Sequence, residues 1–362
     1  MEDSELRNGS GERQNGNDEW QNGNDEWPQE EGALQKKSAA LQSDAAALLR
    51  IEKLKKYFTV RDKAGRRSLL KAVDGVSLSI MRGETLGLVG ESGCGKTTLG
   101  RTILRLTEPD SGSIIYNGAD ITNANMRPYR SKMQIVFQDP YGSLDPRYRV
   151  MEIVSEGLRA RRAGFTKAER INRVHILLES VGLEPDSAYR YPHEFSGGQQ
   201  QRIGIARALA VNPEFIVCDE PVSALDVSFQ SQIISLLQSL QESFELTYLF
   251  ISHDLSVVRY ISDKVGVMYL GKLVEYGAGE EVIRNPAHQY TKALIEAVPV
   301  PDPKTGRNME RKLMEEGADL SIPDAGCRYC RICEHTIPAC FEEEPELKEI
   351  SSGHSCACHL FG

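Results

Sequence analysis

The chain has 362 residues, 26% charged and 40% hydrophobic, with a formal net charge of −9. That is the composition of a folded, water-soluble protein of one large domain with appendages or two ordinary domains, and no apolar run reaches the roughly 18 residues that span a bilayer. Residues 1–45 hold four Lys/Arg against eleven Asp/Glu, which places −7 there and leaves −2 for the body, a balance that argues against nucleic acid as a partner.

The N-terminus is polar and acidic with no apolar leader core, so the expected setting is the cytoplasm, with the eight cysteines reduced or metal-bound. Residues 1–45 repeat QNGNDEW in tandem, at 14–20 and 21–27, and contain both tryptophans. So little apolar surface does not offset the entropy of ordering a backbone, and the stretch reads as a disordered tail, with a docking peptide as the alternative. Strands are expected at residues 49–60 and 72–80, separated by a polar break at 61–67.

Residues 84–89 read as a buried strand and 96–106 as a helix with Leu99, Ile103, Leu104 and Leu106 on one side. Between them, Gly90, Gly95, Lys96 and Thr97 complete G-x-x-x-x-G-K-[ST], with Gly93, Cys94 and Thr98 inside or beside it. The glycines let successive N–H groups point at one spot on a helix N-terminus, where phosphate is favoured. Lys96 is expected on the β- and γ-phosphates of ATP and Thr97 on Mg²⁺. Tyr57, in the strand ahead of this loop, is a ring of the kind that stacks on adenine, although strand aromatics are usually core.

A hairpin with an Asn117-Gly118 turn follows, then a short strand at 133–137 ending in Gln138. Residues 141–195 change character, with polar amphipathic helices expected at 152–162 and 166–181, and read as a helical insert. A glycine turn, Ser196-Gly197-Gly198-Gln199, opens the next helix. The apolar run 215–218 ends in Asp219 and Glu220, as a buried parallel strand does when it delivers carboxylates to a site at its C-terminal end. A helix at 227–242, a strand at 247–251, Ser252-His253-Asp254 and a hairpin at 265–276 complete an alternation that means an α/β fold with a largely parallel sheet. Pro299, Pro301 and Pro303 mark a linker to a small appendix carrying six cysteines.

The ordered set of phosphate loop, Gln138, Ser196-Gly197-Gly198-Gln199, Asp219-Glu220, Ser223-Ala224-Leu225-Asp226 and His253 resembles the ATP-binding subunit of ABC transporters, over residues 48–362. The resemblance implies a RecA-like mixed-sheet core with an antiparallel β subdomain and a helical subdomain. It implies that Asp219 ligates Mg²⁺ together with Thr97 and Gln138, that Glu220 activates water, that His253 reaches the γ-phosphate, and that the serine–glycine turn caps the ATP of a facing subunit with Asp226 near the seam. Phe195 stands where the family usually has Leu. Residues 138–147, 191–194, 250–258, 267–272 and 285–294 are similar to oligopeptide and dipeptide importers, above all to the F-type ATPase subunit, with Gln289 where Pro is usual. The implied domains are a tail at 1–45, a nucleotide-binding domain at 48–285 with its helical part at about 141–195, and an oligopeptide-transporter-type region at 286–362. The implied partners are a homologous ATPase, two membrane permeases and an extracellular or periplasmic binding protein, at the cytoplasmic face of the membrane. Import of nickel chelates or another solute, a non-transport ABC ATPase and a binding module without hydrolysis are the alternatives.

Cys327, Cys333, Cys340 and Cys358 follow C-x5-C-x6-C-x17-C, which resembles the C-terminal [4Fe–4S] motif of the same importers; four thiolates hold tetrahedral zinc equally well. Cys330, Cys356, His335, His354 and His359 are further candidate ligands. Cys94 and Cys218 sit where a small apolar residue suffices, and no metal is expected there.

Overall fold

The computed structural model describes residues 47–61, 65, 67–160, 165–223, 225–297 and 325–361. The tandem-repeat tail and the proline linker lie outside the described residues. The chain divides into Met1–Asp44 and Ala45–Gly362, and the described residues all belong to the second unit.

Strands β1 (Ala47–Arg61) and β2 (Arg67–Met81) pair antiparallel along their length. β4 (Ser111–Tyr116) joins the other edge of β1, and β5 (Ala119–Asp120) closes a four-stranded antiparallel sheet in the order β2-β1-β4-β5. The β4–β5 connection places Asn117 and Gly118 at φ 48° and 78°, the doubly left-handed turn that Asn-Gly favours. One face of this sheet presents Leu49, Ile51, Leu54, Val76 and Ile80 to Leu99 and Ile103 of helix α1 (Lys96–Ile103).

The second sheet has eight strands in the order β11-β12-β10-β9-β3-β8-β7-β6. Its middle is parallel: β9 (Lys264–Tyr269), β3 (Thr85–Val89), β8 (Thr247–Ile251), β7 (Phe215–Asp219) and β6 (Met133–Val136). Every residue of β3, β7 and β8 is buried, which is why they read as unbroken apolar runs rather than as alternation.

The helical insert holds two short helices, Val150–Val154 and Glu156–Ala160, and the longer α2 (Lys167–Ser180). One continuous helix over 152–162 was the sequence expectation; the break falls at Ser155, whose hydroxyl donates to the Met151 carbonyl at 2.6 Å and competes with the backbone ladder. Thr166 and Glu169 form a capping box at the start of α2. Helix α3 (Gly197–Leu209) then leads back into β7, and α4 (Val227–Phe244) into β8.

The C-terminal appendix is joined to the core sheet. β10 (Lys272–Ala278) runs antiparallel to β9, β12 (His354–Cys356) pairs with β10, and β11 (Lys348–Ser351) pairs with β12. The seam is locked by Glu275, which is fully buried. Its Oε1 accepts from His354 Nε2 at 2.7 Å and from the Ala287 N–H at 2.8 Å, and its Oε2 accepts from the His288 N–H at 2.9 Å. Among the described residues no helix is long and apolar enough to cross a membrane.

Candidate nucleotide site

Four parallel strands end on one side of the sheet, and each delivers a piece of the site. β3 runs into the glycine loop, β7 into Asp219 and Glu220, β8 into Ser252 and His253, and β6 toward Gln138. The loop needs its glycines for two reasons. Gly90 and Gly95 have φ of 149° and 110°, and a Cβ would lie 2.2 Å from the Met268 carbonyl oxygen at the first and 1.9 Å from that of Ala72 at the second. Gly93, at φ 81°, has nothing within 4 Å of where a Cβ would be, so the loop is open above it. No side chain caps α1, whose N-cap is Gly95, and its first-turn N–H groups are left for an anion. Lys96 is buried, with Nζ donating to the carbonyls of Gly90 at 2.6 Å and Glu91 at 2.9 Å.

The Thr97 hydroxyl donates to Asp219 Oδ1 at 2.6 Å. Asp219 Oδ2 is buried and makes no hydrogen bond; the Arg101 guanidinium lies 4.0 Å away. Burial pushes the Asp219 carboxyl above the usual carboxylate range, against the opposing effects of the Thr97 hydroxyl and the Arg101 charge. An orphaned buried carboxylate oxygen beside a threonine hydroxyl fits a hard divalent cation that takes few protein ligands and completes its shell with phosphate and water.

Glu220, one residue on, is buried and sits at φ 47°, a left-handed conformation that a glutamate adopts at a cost. Its N–H donates to the Ile251 carbonyl at 3.0 Å, so the strand ladder holds the strained residue. Two sequence candidates converge on its side chain. Gln138 Nε2 donates to Glu220 Oε2 at 3.0 Å, and His253 Nδ1 lies 3.2 Å from the same oxygen. Sequence reasoning sent Gln138 toward the metal and His253 toward phosphate. The shared contact with Glu220 was missed, because the three residues are 82 and 33 positions apart and meet only through strand order.

Ser196 is exposed at the N-terminus of α3, its hydroxyl accepting from the Gln199 N–H at 3.4 Å while Gln199 Oε1 accepts from the Ser196 N–H at 3.0 Å. Gly197 is exposed and Gly198 buried, where a Cβ would press on the Phe229 ring at 3.3 Å. Phe195, the departure from Leu, is buried under the Arg190 guanidinium at 4.4 Å from the ring centre. Asp226 is exposed at the start of α4. The hydroxyl of Tyr57 is bound to Asp74, which orients its half-buried ring.

The family model for ABC transporters matches residues 73–223, and that for the C-terminal region of oligopeptide/dipeptide transporters matches residues 274–340. The oligopeptide transport ATP-binding protein OppF of Bacillus subtilis is 55% identical over 315 residues, covering 86% of this chain and 96% of its own. AppF of the same organism, also an oligopeptide transport ATP-binding protein, is 50% identical over 321 residues, covering 87% and 97%. This chain belongs to the oligopeptide-transporter ATP-binding subunits of the ABC family. Its ABC ATPase fold is shared with CbiO1 of Clostridium perfringens, part of the ABC transporter complex cbiONQ, at TM-score 0.57 and 29% identity over 66% of this chain and 92% of that one. It is shared as well with the ATP-binding cassette MJ0796 in a dimeric post-hydrolysis state bound to ADP and Pi, at TM-score 0.57 and 28% identity over 64% and 98%.

One expectation for this ABC subunit is overturned. Cys327, Cys333, Cys340 and Cys358 border one small cavity, with Cys330, His288, His335 and His359 also in its wall. Yet among the described residues no three His, Cys, Asp or Glu side chains converge as a metal-binding group, so neither the [4Fe–4S] cluster nor the zinc alternative is supported. Cys330, Cys340 and Cys356 are buried, and burial pushes the Cys327 thiol up to about 11 and raises that of Cys330. Cys358 is lowered to about 6, chiefly by a hydrogen bond from the Cys356 thiol. Cys94 and Cys218 are buried small apolar residues, as expected.

Proposed function

We propose that this subunit hydrolyses ATP to ADP and phosphate and that hydrolysis powers the uptake of peptides. The observation that carries the reading is the pinning of one oxygen of a strained, buried Glu220 by Gln138 and His253, beside the phosphate loop and the orphaned oxygen of Asp219. The open loop N–H groups grip the triphosphate, and Lys96 exchanges its two carbonyl partners for phosphate oxygens. Thr97 and Asp219 would hold Mg²⁺, with Gln138 as a further candidate ligand, and the ion would supply charge neutralisation to the triphosphate. With Oε2 held, Glu220 Oε1 takes the proton of a water. The bond from that water to the γ-phosphorus forms as the bridging bond to the β-phosphate breaks. Tyr57, its hydroxyl fixed on Asp74, offers its ring to adenine.

Ser196 and Gly197, exposed with Gln199 at a helix start, close together with the N–H of Gly198 over the phosphates of a facing homologous subunit, with Asp226 at the same seam. The dimeric state of the MJ0796 cassette supports this pairing. The names of the relatives support docking on two membrane permeases fed by a binding protein, at the cytoplasmic face of the membrane. We divide the chain into a tail at 1–45, a nucleotide-binding domain at 48–285 with a helical part at about 141–195, and a transporter-specific region at 286–362.

The test is Glu220→Gln in the assembled complex. Turnover should drop about 10²- to 10⁴-fold, the usual share of a general base, while Mg-ATP still binds; an undiminished rate rejects Glu220 as the base. Peptide uptake into vesicles carrying the complex, with and without internal ATP, checks the transport half.

A further inference from the structure

The segment Asn285-Pro286-Ala287-His288-Gln289-Tyr290 lies outside the matched ABC region, and nothing in the hydrolytic reading uses it. It nevertheless reaches the phosphate loop. The Tyr290 hydroxyl accepts the Glu91 N–H at 2.9 Å, inside the G-x-x-x-x-G-K-T loop itself. Tyr290 is buried on helix Gln289–Glu296, and its ring packs against Tyr269 and Tyr329 with centroids 4.5 and 5.6 Å away. Tyr329 belongs to the cysteine-bearing appendix and also lies edge-on to Tyr269 at 5.3 Å.

A second tie runs beside the first. Arg328, the neighbour of Tyr329, is buried, donates to the Leu270 carbonyl and pairs with Asp74. Leu270 and Gly271 form the left-handed turn between β9 and β10, at φ 42° and 86°. The Gly271 N–H donates to the Cys94 carbonyl of the phosphate loop at 2.8 Å, and its carbonyl accepts from the Asp74 N–H at 2.9 Å. Two neighbouring appendix residues thus end on the loop, one through a ring stack and one through a turn.

We infer that the cysteine-bearing appendix braces the phosphate loop, with Tyr290 as the positioning residue, so that nucleotide binding and the order of the appendix are thermodynamically linked. This rests on the reading of the loop as the ATP site. Linkage is reciprocal: whatever fixes the loop favours the docked appendix, and whatever frees the appendix weakens ATP.

The test uses the full chain, with Mg-ATP affinity measured by calorimetry and the alkylation rates of the half-buried Cys327, Cys333 and Cys358 followed by mass spectrometry with and without Mg-ATP. Tyr290→Phe keeps the ring stack and deletes only the acceptor, so folding should be preserved. It should weaken Mg-ATP binding about 3- to 10-fold, the size of one hydrogen bond. Arg328→Gln, which touches no loop residue, should weaken binding in the same direction. Mg-ATP should slow alkylation of the three appendix thiols in the native chain and do so far less in Tyr290→Phe, a shift that a merely structural hydroxyl would not produce. Native chain that fails to bind Mg-ATP overturns the reading on which the brace depends. Native chain that binds, with Tyr290→Phe binding equally or with thiol rates indifferent to nucleotide, overturns the brace alone.

Discussion

At Gly95 a single hydrogen separates a working loop from a clash. A methyl there would meet the Ala72 carbonyl oxygen at 1.9 Å and would have to sit at φ 110°. Gly95→Ala should therefore cost about 3 kcal/mol or more of stability, read from the denaturant midpoint, and abolish Mg-ATP binding. The thiols make a second residue-scale prediction. At pH 7 Cys358, lowered to about 6, should react first with an alkylating reagent, whereas Cys94 and Cys218, buried with raised pKa, should react slowest; peptide mapping gives the order. Modification of Cys94, whose Sγ lies 3.8 Å from Lys96 Nζ, should block nucleotide. Most site residues were legible because their types are fixed by local backbone needs: glycines for positive φ, Lys96 and Thr97 at a helix start, Asp219 at a strand end. The left-handed backbone of Glu220 and its pinning by Gln138 and His253 were not legible, because they follow from strand order and not from spacing. The metal reading of the cysteines failed for a related reason: spacing alone does not say where thiols point.

Among the elements, helix Gln289–Glu296 depends on an imidazole. The His288 Nδ1 accepts the Tyr290 N–H at 3.1 Å as N-cap, which requires that nitrogen to be unprotonated. Burial lowers the His288 pKa from 6.5 to about 4. The unfolded chain takes up this proton near pH 6.5 and the folded chain only near 4. The contribution is thus complete above about 6.5 and is lost progressively as the pH falls toward 4, about 3 kcal/mol in all. His288→Asn keeps a cap acceptor that does not titrate, so its stability should fall less steeply than the parent's between pH 6.5 and 4 in paired denaturant titrations. Long or fully buried elements were readable in advance: β3, β7 and β8 by continuous apolar runs, α2 by its polar amphipathic pattern. β11 and β12 were not, since strands of four and three residues carry no periodicity and owe their existence to an adjacent edge.

For the molecule as a whole, the central question is how the C-terminal part is held to the ATPase core. The His354–Glu275 contact lies at the seam, with both side chains nearly inaccessible. His354→Ala would leave a buried carboxylate with only two backbone donors and should lower stability by about 3 kcal/mol, measured by chemical denaturation. The largely parallel sheet followed from the strand–helix alternation and the separate antiparallel sheet from the family resemblance; the continuation of the core sheet into the appendix followed from neither, because it pairs residues some 80 positions apart. The antiparallel end of that sheet also has a solubility consequence. Beyond β10 the backbone is occupied by β12 and β11. Shorten the chain ahead of Lys348 and β10 would offer a naked ladder of amides and carbonyls to any passing strand, so such a fragment should self-template into filaments where the intact protein stays dispersed.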